Sequence, residues 1–413
     1  MRFFVAREAF AEGKGEFRVD YRPAATPPTL ADIRVGSATQ LQNLVVQRKK
    51  ADGSLPLAEL APEPVRALKG FPVELGRSNA RELERILALA RDGRHDPADV
   101  ALAAPVVLEE QLKPLLPRRR LQVAILNGLG TGIGDSVIGA TALRSFRARL
   151  ALQVAEVRID IVSRRLDKLG GLLRCLPEVD RLRPAAISLA DLMAYDAVVD
   201  LGGMTSWPDF DRLPMLDFFL LQLGLAPAQV PVSARRNHLP LPEAVRRRAR
   251  ERVAAARAGQ GPLVLLHPTA SEPGRSMPEA TARAVADALL ARPGWRVASL
   301  LPTADPRLVD LSAASADVVA FAALVAEMDG IVTVDTSTYH LADAFDVPSL
   351  AIFTTVDPRL RLRDYPWAGG LWLRGGDPWS RLEPATAARH LAELMLRRQT
   401  SVTRSSAASS VTP

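Results

Sequence analysis

Three stretches of the chain set reactive side chains directly behind apolar runs. The first is NGLGTGIGDS, residues 127–136, where Gly128, Gly130, Gly132 and Gly134 alternate and Asp135 follows. Glycines let a ligand approach the backbone closely, and a helix start offers free N–H groups to an anion. The spacing fits neither the dinucleotide fingerprint nor a Walker loop. A carboxylate at Asp135 would repel a phosphate lodged at the same helix end. It suits a proton acceptor facing a cleft, and equally an N-terminal cap stabilising the helix by about 1 kcal/mol; the two roles are compatible. The second stretch, HPTASEPGRSMP at residues 267–278, contains Arg275, whose guanidinium can hold a diphosphate by forked hydrogen bonds or stand as a surface cation. The third, VDTSTYHLADAF at residues 334–345, ends a strand with Asp335 and Thr336 and begins a helix with Ser337, Thr338 and Tyr339. That is again an anion site, with His340 set to contact a phosphate or ribose, or to serve as a cap or core residue. A metal site built from Asp335, His340 and Asp343 matches no familiar ligand spacing.

These groups need strands and helices to hold them. LQVAILN, from residue 121, and PLVLLHP, from residue 262, are short continuous apolar runs, as expected of strands buried on both faces of a parallel sheet. Each is followed by a loop and a helical pattern. VRIDIVS, YDAVVDLGG, WRVASLLP, GIVTVDT and PSLAIFT supply further strands. The alternation predicts an α/β fold of two doubly wound, Rossmann-like domains. Open sheets of this kind bind ligands beyond the carboxyl ends of their strands, so the two domains should face a cleft. The expected divisions are 1–118 as an N-terminal extension of unknown role, 119–240 as the first domain and 241–383 as the second, followed by a helix over 384–400 and a disordered Ser/Thr-rich tail over 401–413. SNARELERILALARDG, residues 78–93, has the caps and periodicity of a helix.

Composition narrows the partners. The 413 residues allow two or three domains, at roughly 100–200 residues each. The formal charge is +7, yet 46 acidic residues are interspersed with 53 basic ones. Aromatic residues are only 5% and do not alternate with basic ones, which argues against a nucleic-acid platform. Cys175 is the sole cysteine, so neither an intrachain disulfide nor a cysteine zinc site can form; its apolar neighbours suggest a buried thiol. No uncharged apolar run reaches the ~18 residues that span a bilayer. A soluble cytoplasmic protein is expected, with at most peripheral contact at the inner face of a membrane.

Taken in order, the three motifs resemble those of glycosyltransferase family 9, the heptosyltransferase-like enzymes. VDTSTYHLADAFDVPSLAIFTTVDP resembles the family's C-terminal signature, HPTASEPGRSMP its strand and basic loop, and LNGLGTGIGDSVIGATALRSF its first strand, Gly-Asp turn and helix. The likeness runs from about Leu121 to Gln399. It implies the GT-B architecture, a nucleotide diphosphate-sugar donor such as ADP-heptose, no further cofactor and no metal. It implies Asp135 as the catalytic carboxylate, Arg275 beside the donor phosphates, and Thr336, Ser337 and His340 in the diphosphate-binding turn, with Thr338 and Tyr339 on its helix. Gly130, Gly132 and Gly134 fall in the acceptor-side loop. There are departures. Asn127 stands where the family usually has a basic residue, Met277 where tryptophan is usual, and Thr354 where glycine is common. The implied reaction is inverting transfer of a heptose-like sugar to a hydroxyl, on a lipopolysaccharide precursor or, given the extra N-terminal residues, a polypeptide. A catalytically silent sugar-nucleotide binding protein is the alternative from another class. A nucleotide-cofactor oxidoreductase is a third, opposed by the glycine spacing.

Overall fold

The computed structural model describes residues 1–6, 28–36, 57–77, 106–185, 187–204, 207–257 and 261–409. The helix expected over residues 78–93 lies outside them.

The first domain is built on β5 (Arg120–Leu126), whose sequence RLQVAIL is buried almost throughout. With β4 (Val73–Glu74), β6 (Glu156–Ser163), β7 (Arg181–Pro184) and β8 (Ala197–Asp200) it forms a parallel sheet in the order β4-β8-β5-β6-β7. Side chains alternate across a strand, so β5 feeds two cores. Leu121, Val123 and Ile125 join the large cluster under the helix Ile133–Ala151. Ala124 and Leu126 join a second cluster with Met1, Phe3, Ile33 and Val35. That second cover is a small antiparallel sheet, ordered β2-β1-β3, of β1 (Arg2–Ala6), β2 (Ile33–Gly36) and β3 (Leu57–Leu60).

Within the N-terminal extension expected over 1–118, the described residues pack into the first domain. Beyond the small sheet, Val73–Glu74 adds an edge strand beside β8. The helix Leu108–Leu112 buries Leu108 and Leu112 in the first domain's main core. The edge strand escapes a sequence reading because two residues carry no period.

The second domain holds β9 (Leu263–His267), β10 (Arg296–Ser299), β11 (Val309–Asp310), β12 (Gly330–Val334), β13 (Ser349–Phe353) and β14 (Ala368–Trp372), all parallel, in the order β11-β10-β9-β12-β13-β14. Leu263 and Leu265 pack toward the helices Val318–Ala326 and Ser337–Ala344. Val264 and Leu266 pack with Val285 of Glu279–Leu290 and Leu391 of Pro384–Ser409. The apolar cluster that contains Val123 also contains Leu263 and Leu341, so the two domains share buried surface.

The last helix runs to Ser409, past the start of the tail expected to be disordered. Extending a helix costs far less than nucleating one. Thr400 and Thr403 donate their hydroxyls to the carbonyls of Leu396 and Gln399, at 2.9 and 3.0 Å, so these polar side chains fit the helix. Among the described residues no helix is long and apolar enough to cross a membrane.

Phe3 is fully buried, against the face of the sheet that carries β5. Phe3→Ala is expected to destabilise the first domain by about 3–5 kcal/mol, the usual cost of emptying a buried phenylalanine site. Denaturant unfolding followed by circular dichroism measures it; a change under ~0.5 kcal/mol, as at a surface site, would show the small sheet to be peripheral.

Candidate active site

The carboxyl ends of β5 and β9 point into one cleft of about 790 Å³ between the domains. On the first-domain side, the chain leaves β5 through Asn127, in the left-handed region at φ 70°. Asparagine tolerates that conformation, and its Nδ2 donates to Asp200 Oδ1 at the end of β8, at 2.7 Å. Here Asn127 ties two strand ends together. Gly130, at φ 96°, has no room for a side chain, because a Cβ would lie 2.3 Å from that of Asp135.

Asp135 sits in the first turn of Ile133–Ala151. Its Oδ2 accepts the N–H of Gly132 at 3.0 Å and of Thr131 at 3.2 Å. The carboxylate caps its own helix, and it also lines the cleft. Among the described residues Oδ1 has no hydrogen-bond partner, so one oxygen fixes the side chain while the other is available.

On the second-domain side, the helix Ser337–Ala344 starts at the end of β12, and no side chain caps it. Thr336 and Ser337 are half-buried and line the cleft. Thr338 does not line it: its side chain is fully buried and its hydroxyl lies 3.0 Å from His267 Nδ1. Tyr339 is 1% exposed and donates to Asp335 Oδ1 at 2.9 Å. That bond commits its hydroxyl to orienting Asp335. Asp335 Oδ2 in turn accepts Arg275 Nη1 at 3.1 Å, while Arg275 Nη2 donates to Ser271 Oγ at 3.0 Å. Arg275 therefore reaches the cleft already held in place.

His340 is also less exposed than a residue on the rim. Its Nδ1 lies 2.6 Å from the Tyr365 hydroxyl, and its ring lies against that of Tyr339, tilted by 46° with centroids 4.0 Å apart. Burial, helped by the Arg361 cation, holds its pKa well below the usual histidine value, so the ring is neutral. Burial likewise lowers His267 to about 4. The other face of His340 meets the first domain: a Cβ on Gly134 would lie 2.7 Å from His340 Cδ2. The two helix starts thus touch, at a position only glycine fits without displacing the ring.

Sequence reasoning missed Arg361, in the short helix Arg359–Leu362 after β13, which lines the same cleft. It also missed Phe210, Asp211 and Met215 of the first domain, which line the cleft's opposite wall. An arginine just beyond a strand's carboxyl end was the available signal. A groove of about 1060 Å³, lined by Ala314, Ser315 and Phe321, opens beside the cleft and shares Ile133 and Lys168 with it. Among the described residues no three His, Cys, Asp or Glu side chains are grouped to hold a metal ion.

Two Rossmann-like domains that face a cleft, with the acidic helix start on one side and the uncapped helix start on the other, have the GT-B architecture. Within that class, residues 230–368 match the model of glycosyltransferase family 9 (heptosyltransferase), which bears out the resemblance read from the motifs. Two solved structures show the same fold. A family 9 glycosyltransferase from Veillonella parvula DSM 2008 aligns with a TM-score of 0.50 and 13% identity, over 67% of this chain and 97% of its own. The E. coli ADP-heptose lps heptosyltransferase II aligns with a TM-score of 0.51 and 15% identity, over 68% of this chain and 100% of its own. No curated protein matches the chain.

Where the domains meet, Asp343 lies buried with Oδ2 accepting the N–H of Asn237 at 3.2 Å. Burial pushes its pKa up to about 7, against the opposing pull of Arg236. The folded state then holds a proton that the unfolded chain has lost above pH ~4. Stability contributed by this group falls as pH rises from about 4 to 7 and levels off above. Asp343→Asn should flatten that slope and raise the melting temperature at pH 8 relative to the parent, as read by thermal unfolding across pH; an unchanged profile would show that Asp343 titrates normally.

Proposed function

We propose that the protein transfers a heptose-like sugar from a nucleotide diphosphate donor to an acceptor hydroxyl, by a single inverting displacement that uses no divalent metal. The observation that carries this reading is that Asp135 of one domain and the uncapped helix start at Ser337 of the other line one cleft. The chemistry needs those two features on opposite sides of the anomeric carbon. Asp135 Oδ1 takes the proton of the acceptor hydroxyl as its oxygen bonds to that carbon. The bond to the donor phosphate breaks, and the nucleoside diphosphate leaves with added negative charge. First-turn N–H groups at Ser337, Thr338 and Tyr339, together with the Arg275 guanidinium, meet that charge. Cationic and dipolar groups of the protein then do what a metal would otherwise do.

The nucleoside extends into the adjoining groove by Ala314 and Phe321. ADP-heptose is the donor suggested by the name of the E. coli relative. Gly130, Gly132 and Gly134 shape the acceptor side, where a saccharide, a lipid-linked glycan or a polypeptide hydroxyl would lie. The reaction would then be cytoplasmic, with peripheral contact at the membrane's inner face for a lipid-linked acceptor.

Asp135→Asn tests the assignment cleanly, because an amide oxygen can still cap the helix through Thr131 and Gly132. Transfer, followed as ADP release from ADP-heptose with acceptor, should fall by about 10²–10⁴-fold, the range for losing a general base, with ADP affinity retained. Full activity in the variant removes Asp135 from the role.

A further inference from the structure

Among the described residues, Arg361 is the most deeply buried cation that lines the cleft, and no hydrogen bond holds its guanidinium. The residue is 9% exposed, and its Nη1 is buried without any hydrogen-bond partner. Its nearest carboxylate, Asp211, stands 3.9 Å from Nη2 and is itself 74% exposed. The guanidinium rests on the Phe210 ring, 5.5 Å from its centroid. The arginines two positions to either side are satisfied differently: Arg359 pairs with Asp357 and Arg363 with Asp217 and Asp364. Arg275, the cation singled out by its motif, already donates to Asp335 and Ser271. A buried guanidinium without hydrogen bonds costs several kcal/mol, so a site that retains one keeps its donors for something else. Arg361 lines the cleft and stands close enough to the first turn of Ser337–Ala344 for its charge to be felt at Tyr339 and His340.

We infer that Arg361 is a principal donor-binding cation, its forked N–H groups gripping the phosphate next to the sugar while the helix start at Ser337 and Arg275 hold the rest of the diphosphate. The inference rests on the donor reading given above and adds a residue to it. Because that phosphate becomes the new leaving-group terminus when the sugar bond breaks, Arg361 would act most strongly on the departing diphosphate. A monophosphate lacks the group it grips.

The test is binding of ADP and AMP by calorimetry, with melting temperature as the fold control, in the full chain and in Arg361→Gln. Loss of a hydrogen bond to a charged group corresponds to about a 10- to 100-fold weaker ADP affinity; AMP affinity should hardly change, and the unliganded protein should melt no lower than the parent. If the variant binds ADP as the parent does, or if ADP and AMP weaken equally while the unliganded melting point drops, Arg361 only braces the domains through Asp211 and Phe210, and the inference falls. Should the parent itself bind no ADP, the donor reading and the inference fall together. Should the glutamine variant not fold, Arg361→Lys is read instead. Lysine keeps the charge without the fork, so ADP binding about tenfold weaker at an unchanged melting point supports the role, and parental affinity overturns it.

Discussion

Gly134 of the first domain lies directly against the ring of His340 in the second, and the geometry of the site depends on that contact. A backbone without a side chain lets one helix start rest on an imidazole at the other. Asp135 follows Gly134 and Ser337 begins the helix that carries His340, so this contact sets the distance between the acidic wall of the cleft and the wall with the uncapped helix start. The ring can serve as a spacer because it is neutral and fixed, with Tyr365 holding Nδ1 and the tilted Tyr339 ring packed against it.

Charge in the cleft is correspondingly divided. Buried histidines are stripped of theirs by desolvation, His267 to a pKa of about 4. Permanent cations remain, since guanidinium does not give up its proton. Asp335 anchors one of them, and is itself oriented by Tyr339 in the first turn of the helix that follows it. An uncapped helix start beside such cations favours anions over neutral ligands, whereas the Asp135 carboxylate already occupies the start of its own helix.

Much of this was legible in the sequence because it rests on local rules. Runs such as LQVAIL, LVLLH, GIVTV and SLAIF are buried strands in the fold, and the glycine-rich turn and the Asp-Thr-Ser step stand at strand ends in one cleft. What escaped depends on tertiary packing. Short edge strands such as RLRP and AGGLW have no apolar run to announce them. Thr338 and Tyr339 share a first turn with Ser337, yet the helix rotates their side chains toward His267 and Asp335. In RLRLR nothing local distinguishes Arg361 from Arg359 and Arg363; only the placement of the carboxylates leaves the middle one with a buried Nη1 that makes no hydrogen bond and a single ion pair at 3.9 Å. The integration of the described N-terminal residues was invisible because the strands they cover lie roughly ninety or more positions away.

That last arrangement imposes an order on biosynthesis. Phe3, Ile33 and Val35 pack against Ala124, Leu126 and Val198, which a ribosome makes only after the small sheet has emerged. At about 5–20 residues per second, the nascent apolar face waits on the order of ten seconds for its counterpart. During that interval it is a natural client for chaperones that shield greasy surfaces, and the strand bearing the glycine turn cannot be sealed on both sides until the wait ends.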